Sequence, residues 1–388
     1  MTLRSPRARA IALALATATT LGTAAAVAPA AQAAPAPSAG AVQQTPGYHV
    51  TGYNVGKGNY RAAIDPQSGD MWLTNVSPMG KPAQSQILQL NPADMSLKKR
   101  ITITRKAQTG GHGFIAGAYD IGVPKTGNTV WTTGAPSNQV TVWDKSTGRE
   151  LKYIDGVEHA HEITFAEDLG LAIVSTKGAA LQFFDLNTFE KVGSASFPGG
   201  GQHLGAGIAV TDESASGATV TVTDYYRNLT QFRVTRDGGA VQSKVLWNTR
   251  QAAAQGHGSV VADTRTNRIY VNELMGGTVS AFNLRTGKHI GDITTGPGTN
   301  SMMIFHGKLY AADYFANFIS VIDQKNLAVT QRITTGLMPN QLVPWKKNTF
   351  LVVDKSSSAA ELPAGVLELK IKAPAVGVDH VWKVTKTG

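Results

Sequence analysis

The chain is 388 residues long, carries a formal net charge of +10 at pH 7 and contains no cysteine. The absence of cysteine excludes disulfides, thiolate metal sites, thiol nucleophiles and lipoprotein anchoring. Apart from Lys98, Lys99 and Arg100, the basic residues are scattered singly through the chain, a distribution that mainly supports solubility.

The first 33 residues have the features of a secretory signal peptide. Arg4, Arg7 and Arg9 precede an apolar run over residues 11–27, and a small-residue motif ends at Ala33. The run is short and rich in Ala and Thr, so we expect general secretion, cleavage before Ala34 and no stable membrane insertion. Cleavage removes three arginines and no acids, which lowers the formal charge from +10 to +7.

The rest of the chain divides into a leader and a repetitive region. Residues 34–46 are rich in Ala, Pro and Gln without periodicity, and they predict a flexible leader. Over residues 47–388, short runs of Val, Ile, Thr and aromatic residues alternate with turns of Gly, Asn and Asp, which is typical of β-strands. Seven copies of about forty residues predict an all-β fold, a seven-bladed β-propeller of four-stranded antiparallel blades.

The predicted blades follow one another along the chain. Their ranges are 58–104, 113–156, 158–199, 202–247, 256–296, 298–336 and 338–372. Blade seven offers only three clear strands, NQLVPW, TFLVVDK and VLELKI. We expect residues 48–55 to supply its outer strand and close the ring, and the alternative is closure by the C-terminal segment DHVWKVTK.

Blades five and six contain the clearest copies of the repeat, with the phrases IYVNE…TVSAFNLRTGKHIGDITTG and LYAADYFANFISVIDQKNLAVTQRITTG. These phrases resemble the YVTN repeat of YncE-like exported β-propeller proteins. The resemblance covers nearly all of the chain after the leader. It implies a soluble seven-bladed propeller outside the cytoplasm, and members of that group have been linked to DNA binding.

Polar residues recur where strands meet one mouth of the central channel. In a propeller, the loop before the first strand of a blade and the loop after its second strand lie at the same mouth, and four consecutive blades place a histidine in the former. Such a polar funnel predicts a binding site for a ligand or a protein. The predicted site residues are Asn59, Arg61, His112, His161, His203, Asp224, His257, Glu273, Asn300, Asp313, Asn340 and Lys355.

Two hypotheses concern the charged members of this set. His112, His161, His203 and His257 could bind a divalent metal, since imidazole is a common ligand of copper, zinc, iron and nickel. Alternatively, each imidazole only caps a strand by bonding to the backbone of the next blade.

Arg61 and Lys355 become neighbours when the ring closes. They predict a cationic corner opposite the histidines that suits an anionic ligand, unless each pairs with a nearby Asp.

Enzyme motifs are absent: the sequence has no nucleophile elbow, phosphate-binding loop, HExxH or dinucleotide fingerprint. We therefore expect a secreted, monomeric binding or interaction protein and not an enzyme. Two other functions stay open. One is a metal-dependent lyase, lactonase or oxidoreductase that uses the histidines, and the other is a charge-driven binder of anionic polymers such as DNA or teichoic acid.

Overall fold

The structure, a computed structural model, describes residues 39–78, 82–109, 113–200, 203–226, 228–250, 256, 258–274, 276–357 and 378–387. Seven antiparallel sheets form a ring with almost no helix, so the predicted seven-bladed propeller is confirmed. The predicted signal peptide, residues 1–33, lies outside the described residues. Within the described ranges, no helix is long and apolar enough to cross a membrane.

The chain starts with two strands that belong to the last blade, β1 (Ala39–Thr45) and β2 (Tyr48–Gly56). Blade one comprises β3 (Asn59–Ile64), β4 (Met71–Ser77), β5 (Gln84–Asn91) and β6 (Ser96–Thr102). Blade two comprises β7 (Asp120–Gly122), β8 (Thr129–Gly134), β9 (Gln139–Asp144) and β10 (Glu150–Asp155). Blade three comprises β11 (Ile163–Ala166), β12 (Leu171–Ser175), β13 (Leu181–Asp185) and β14 (Lys191–Ala195).

The second half of the ring repeats this order. Blade four comprises β15 (Gly205–Ser214), β16 (Gly217–Asp224), β17 (Asn228–Asp237) and β18 (Ala240–Arg250). Blade five comprises β19 (Val260–Asp263), β20 (Arg268–Glu273), β21 (Thr278–Asn283) and β22 (His289–Thr294). Blade six comprises β23 (Thr299–Phe305), β24 (Lys308–Asp313), β25 (Phe318–Asp323) and β26 (Ala328–Thr334), and blade seven uses β27 (Pro339–Lys346), β28 (Thr349–Asp354) and β29 (Asp379–Lys386). Two short 3₁₀ turns span Ala135–Ser137 and Glu167–Leu169.

The cores lie between neighbouring blades. The second strands are buried on both faces, which explains their runs of apolar and β-branched residues. Five of them each bury one large aromatic side chain completely, and these side chains are Trp72, Trp131, Tyr270, Tyr310 and Phe350. The outer strands alternate between buried and exposed side chains, as in β26.

Turns that begin with Asp connect third and fourth strands. In blade two, Oδ1 of Asp144 accepts a hydrogen bond from the backbone N–H of Thr147 at 2.7 Å. Gly148 adopts a φ of 73°, a conformation that favours glycine. The Asp-to-Gly spacing of this turn is therefore set by backbone geometry.

Both ends of the chain contribute to closure. β2 pairs with β29, which pairs with β28, so the predicted outer strand over residues 48–55 is confirmed. β29 contains the alternative segment DHVWKVTK, and it takes the third place in the sheet. VLELKI, predicted for that place, lies outside the described residues.

The leader differs from the expectation. Residues 34–46 are predicted to be flexible, whereas β1 pairs with β2 and adds a fifth strand to blade seven. The physical reason is that β2 offers an unpaired edge, which a neighbouring segment can cover through backbone hydrogen bonds without an apolar face of its own.

The first strands line the channel. β3, β7, β11, β15, β19, β23 and β27 contact one another in that order, and β27 contacts β3 to complete the ring. The loops before these strands and after the second strands therefore meet at one end, which we call the channel mouth. The turns between first and second strands lie at the opposite face.

Candidate binding site at the channel mouth

Titratable side chains from four consecutive blades come together in the channel. We call them the channel cluster, and they are Arg61 on β3, Asp120 on β7, His161 and Glu162 before β11, and Tyr225 after β16. The charge of Arg61 lowers the pKa of each of the other four. One guanidinium therefore interacts with groups from three other blades.

Asp120 and Glu162 form an interacting acid pair. Burial and, to a smaller extent, the negative charge of Asp120 raise the pKa of Glu162 to about 8, against the opposing effect of Arg61. Burial also raises the pKa of Asp120, although its Oδ2 accepts a hydrogen bond from the N–H of Ile163 at 2.8 Å. At neutral pH, Glu162 is therefore mostly protonated.

His161 directly precedes Glu162 in the chain and contacts Tyr225. Its Nε2 lies 2.9 Å from the hydroxyl of Tyr225, and its ring stacks on His159 at 5.8 Å between centroids. Burial, with the positive charge near it, lowers the pKa of His161 to about 3, and burial lowers that of His159 to about 4. Both imidazoles are thus neutral at pH 7.

The guanidinium of Arg61 is the cation of the cluster. Its backbone N–H donates to Oγ1 of Thr74 at 3.0 Å, which fixes the strand. In the described part of the chain, the guanidinium itself has no hydrogen-bond or ion-pair partner. The guanidinium carries five N–H donors, and its charge acts on Glu162.

The other side of the channel is lined by amides. Nδ2 of Asn300 donates to Oδ1 of Asn340 at 2.7 Å, and Nδ2 of Asn340 donates to the carbonyl of Tyr60. The ammonium of Lys355 lies over the Tyr60 ring, 3.6 Å from its centroid. This chain of contacts connects blades six, seven and one.

The predicted cationic corner of Arg61 and Lys355 stays a prediction. Lys355 lies over the ring of Tyr60, the residue directly before Arg61, and the positive charge of Arg61 also lowers the pKa of His161.

His203 and Asp224 form a hydrogen-bonded pair. Nδ1 of His203 lies 2.7 Å from Oδ2 of Asp224, and its Nε2 lies 2.9 Å from the carbonyl of Gly200. Oδ1 of Asp224 accepts from the backbone N–H groups of Tyr226 and Asn228 at 2.9 and 2.7 Å. Both ring nitrogens of His203 thus have protein partners, as in the capping alternative.

The other predicted residues lie apart from the channel cluster. Asn59 is fully buried, and its N–H donates to Oδ2 of Asp379 at 2.9 Å. Asp313 is also fully buried and accepts hydrogen bonds from Thr299 and Ser320. Burial raises the pKa of Asp313 to about 6. Glu273 ends β20 and is half-buried.

Of the four histidines predicted to bind a metal, His112 and His257 lie outside the described residues. Among the side chains that the structure does describe, no group of three or more His, Asp and Glu is arranged to hold a metal ion. Metal binding by His112, His161, His203 and His257 stays a prediction.

Asp120 and Glu162 are the residues that sequence reasoning missed. Glu162 directly follows His161, and the prediction for this segment considered only its histidines. Asp120 starts a strand of only three residues that aligns poorly with the other copies of the repeat. The available signal was an acid directly before or at the start of an apolar first strand in two successive blades.

The comparisons with known proteins concern the fold. No protein-family profile matches the chain, and no curated protein matches it. The chain is similar to a solved structure described as Kuenenia stuttgartiensis hydrazine synthase, with a TM-score of 0.60 and 13% identity. The match covers 78% of this chain and 94% of that one. At this identity the likeness shows the fold alone: the chain is a seven-bladed β-propeller.

Proposed function

We propose that this protein is a secreted binding protein that captures a small anionic ligand, a carboxylate or a phosphate, at the channel mouth. The observation that carries the proposal is the guanidinium of Arg61, which has no partner among the described residues. Arg presents a planar set of donors that matches the two oxygens of a carboxylate or phosphate.

The surroundings of Arg61 support an anion over a cation. Glu162 is mostly protonated at pH 7, and burial raises the pKa of Asp120 as well, so the burial of both carboxyl groups favours their neutral forms beside the guanidinium. His161 and Tyr225 are neutral there, because burial lowers the pKa of the imidazole and raises that of the phenol. A protonated Glu162 can also donate a hydrogen bond to an anion.

Two sequence features support the place of action. The signal peptide predicted over residues 1–33 agrees with secretion, and the YVTN-like repeat agrees with the YncE-like exported propellers. Binding fits the architecture, since polar clusters at a channel mouth are the usual ligand sites of such concave surfaces.

The experiment is a thermal-shift titration of the purified protein at pH 7 and constant ionic strength. Acetate, succinate, citrate and inorganic phosphate are the anionic probes, and succinamide is the neutral control. We expect at least one anion to raise the melting temperature with saturation. Arg61→Met should weaken that binding by roughly tenfold to hundredfold, because a hydrogen bond to a charged group is worth about 1.5–3 kcal/mol.

Arg285→Met is the matched control. Arg285 is an exposed turn residue in blade five, so this variant removes the same charge from the protein without touching the channel. It should bind like the parent protein. Equal affinities of the Arg61→Met variant and the parent, or no saturable binding of any anion, would contradict the proposal.

A further inference from the structure

A polar cleft lies between blades one and two on the face opposite the channel mouth. Its volume is about 370 Å³, and its lining includes Asp65, Trp72, Lys99 and Lys145. Asp65 follows the first strand of blade one, and Lys145 follows the third strand of blade two. The cleft is therefore separate from the channel cluster, and nothing in this inference rests on the proposed function.

Lys145 and Asp65 form a buried ion pair in the cleft. The side chains are 9% and 4% exposed, and Nζ of Lys145 lies 3.3 Å from both carboxylate oxygens. That distance is long for a charge-assisted hydrogen bond, which is usually about 2.7–2.9 Å. The ammonium of Lys145 has three donors, so the pair leaves it with capacity for a further acceptor.

The corresponding junction between blades five and six has a different set of partners. There the equivalents of Asp65 and Lys145 are Asp263, which ends the first strand of blade five, and Gln324, which follows the third strand of blade six. Nε2 of Gln324 donates to Asp263 at 3.0 Å, and its Oε1 accepts from the hydroxyl of Tyr270 at 3.0 Å. One amide thus serves a carboxylate on one side and an aromatic donor on the other.

Trp72 is the equivalent of Tyr270. Trp72 pairs with the residue two positions before Asp65, and Tyr270 pairs with the residue two positions before Asp263. The indole Nε1–H of Trp72 is buried without a hydrogen-bond partner among the described residues. Lys145 occupies the position that corresponds to Gln324. The side-chain oxygen of Gln324 accepts a hydrogen bond from its aromatic neighbour, but the ammonium group of Lys145 has no acceptor atom for the indole N–H of Trp72.

The charge of the cleft is positive. Nζ of Lys99 donates to the backbone carbonyls of Lys145 and Ser146, and no carboxylate pairs with it in the described residues. Two ammonium groups, from Lys99 and Lys145, thus face the single carboxylate of Asp65. Among the residues that line the cleft, two ammonium groups thus stand against one carboxylate, and the indole N–H of Trp72 has no acceptor in the described residues.

We infer that the cleft between blades one and two binds a small oxyanion, a phosphate or sulfate, held by Lys145 and Lys99 with Trp72 beneath it. An oxyanion supplies the acceptor that this junction lacks and the negative charge that balances the second ammonium. The source is free phosphate or sulfate, or such a group on a larger molecule.

The test uses the full chain carrying Arg61→Met, so that the channel cluster does not contribute. Sodium phosphate and sodium sulfate are titrated against sodium chloride of equal ionic strength, and the melting temperature is followed. Equilibrium dialysis with labelled phosphate gives the number of ions bound. We expect saturable stabilisation beyond that of chloride and about one ion per chain.

Lys145→Gln is the decisive variant, because its amide reproduces the pattern of Gln324. It should fold with an equal or higher melting temperature and lose the response to phosphate and sulfate. Lys288→Gln, an exposed turn variant in blade five, is the matched control and should keep that response. Trp72→Phe removes the indole N–H and should reduce the response, and it should also lower the melting temperature because the smaller ring leaves a cavity in the core.

Lys99→Gln provides a second test if Lys145→Gln does not fold, and it should weaken phosphate binding at least tenfold. Chloride giving the same stabilisation as phosphate and sulfate would overturn the inference. So would an undiminished response in the Lys145→Gln or Lys99→Gln variant. A soluble organic phosphate that binds where free phosphate does not would identify the larger source and support the site.

Discussion

Asp379 accepts a hydrogen bond from the backbone N–H of Asn59 at 2.9 Å, which joins the last strand of the chain to the first strand of blade one. Its carboxylate also accepts from the hydroxyl of Ser357 at 2.8 Å. Asp379 is fully buried. This side chain therefore joins both blades at the seam where blades seven and one meet, beside the bond from Asn340 to the carbonyl of Tyr60.

Replacement of Asp379 by Ala should lower the free energy of unfolding by about 1–3 kcal/mol, because it leaves buried N–H donors without an acceptor. Urea unfolding followed by tryptophan fluorescence measures the change. Asp237→Ala, at an exposed turn of blade four, is the control and should be nearly neutral. Equal stability of the two variants would show that the seam does not depend on this carboxylate.

Removal of both N-terminal strands, residues 39–56, should destabilise the protein by several kcal/mol. Tyr48 and Val50 leave the core of blade seven, and β29 becomes an unprotected edge. Thermal unfolding and light scattering measure the loss of stability and the aggregation expected from a bare edge. Removal of residues 39–45 alone should cost much less, since β2 still covers β29. An unchanged melting temperature after the longer deletion would contradict this account of closure.

The acid pair predicts how stability depends on pH. Glu162 has a pKa of about 8 in the folded protein, above its ordinary value near 4.5, so the folded state binds the proton more tightly than the unfolded state. Its contribution to stability is thus lost as pH rises through about 8. The pKa of Asp313 is raised to about 6, so the contribution of Asp313 to stability is also lost as pH rises, but at lower pH.

Glu162→Gln should therefore flatten the loss of stability between about pH 4.5 and about pH 8 in urea titrations, the window between the ordinary pKa and the folded-state pKa of this group. Glu190→Gln, an exposed carboxylate of blade three, should leave the slope as it is. The same reasoning applies to ligand affinity, because ionised Glu162 repels an anion at Arg61. A parent protein whose stability rises across this interval would refute the assigned direction.

The charge of the protein predicts weak binding to anionic polymers. If that binding is electrostatic, retention on DNA or teichoic acid should fall steeply between about 50 and about 200 mM salt, since counterions then compete for the phosphates. Elution from immobilised DNA measures it. Retention that is independent of salt would exclude a mechanism based on net charge alone.

The sequence predicted the fold well because a repeat imposes the same strands and turns seven times. Strand direction also predicted that His161 and His203 precede the first strands of blades three and four, which begin at Ile163 and Gly205. The channel cluster was predicted less well. Asp120 and Glu162 become an acid pair only because β7 and β11 are neighbours, and the distance between side chains of different blades is not encoded in the period of the repeat. Lys145 illustrates the same limit, since its mismatch with Trp72 becomes visible only when two junctions are superimposed.

Closure by both termini sets the order in which the molecule can be completed. β2 and its partner β29 come from opposite ends of the propeller sequence, and Asn59 and Asp379 are 320 residues apart. Blade seven cannot be completed before β29 has been synthesised, whereas blades one to six can each form from consecutive strands. The ring therefore remains open, with one edge of β2 unpaired, until β29 is available. Completion of the toroid then becomes the slow, long-range step of folding, because a contact of such high sequence separation carries the largest loop-closure entropy in the protein.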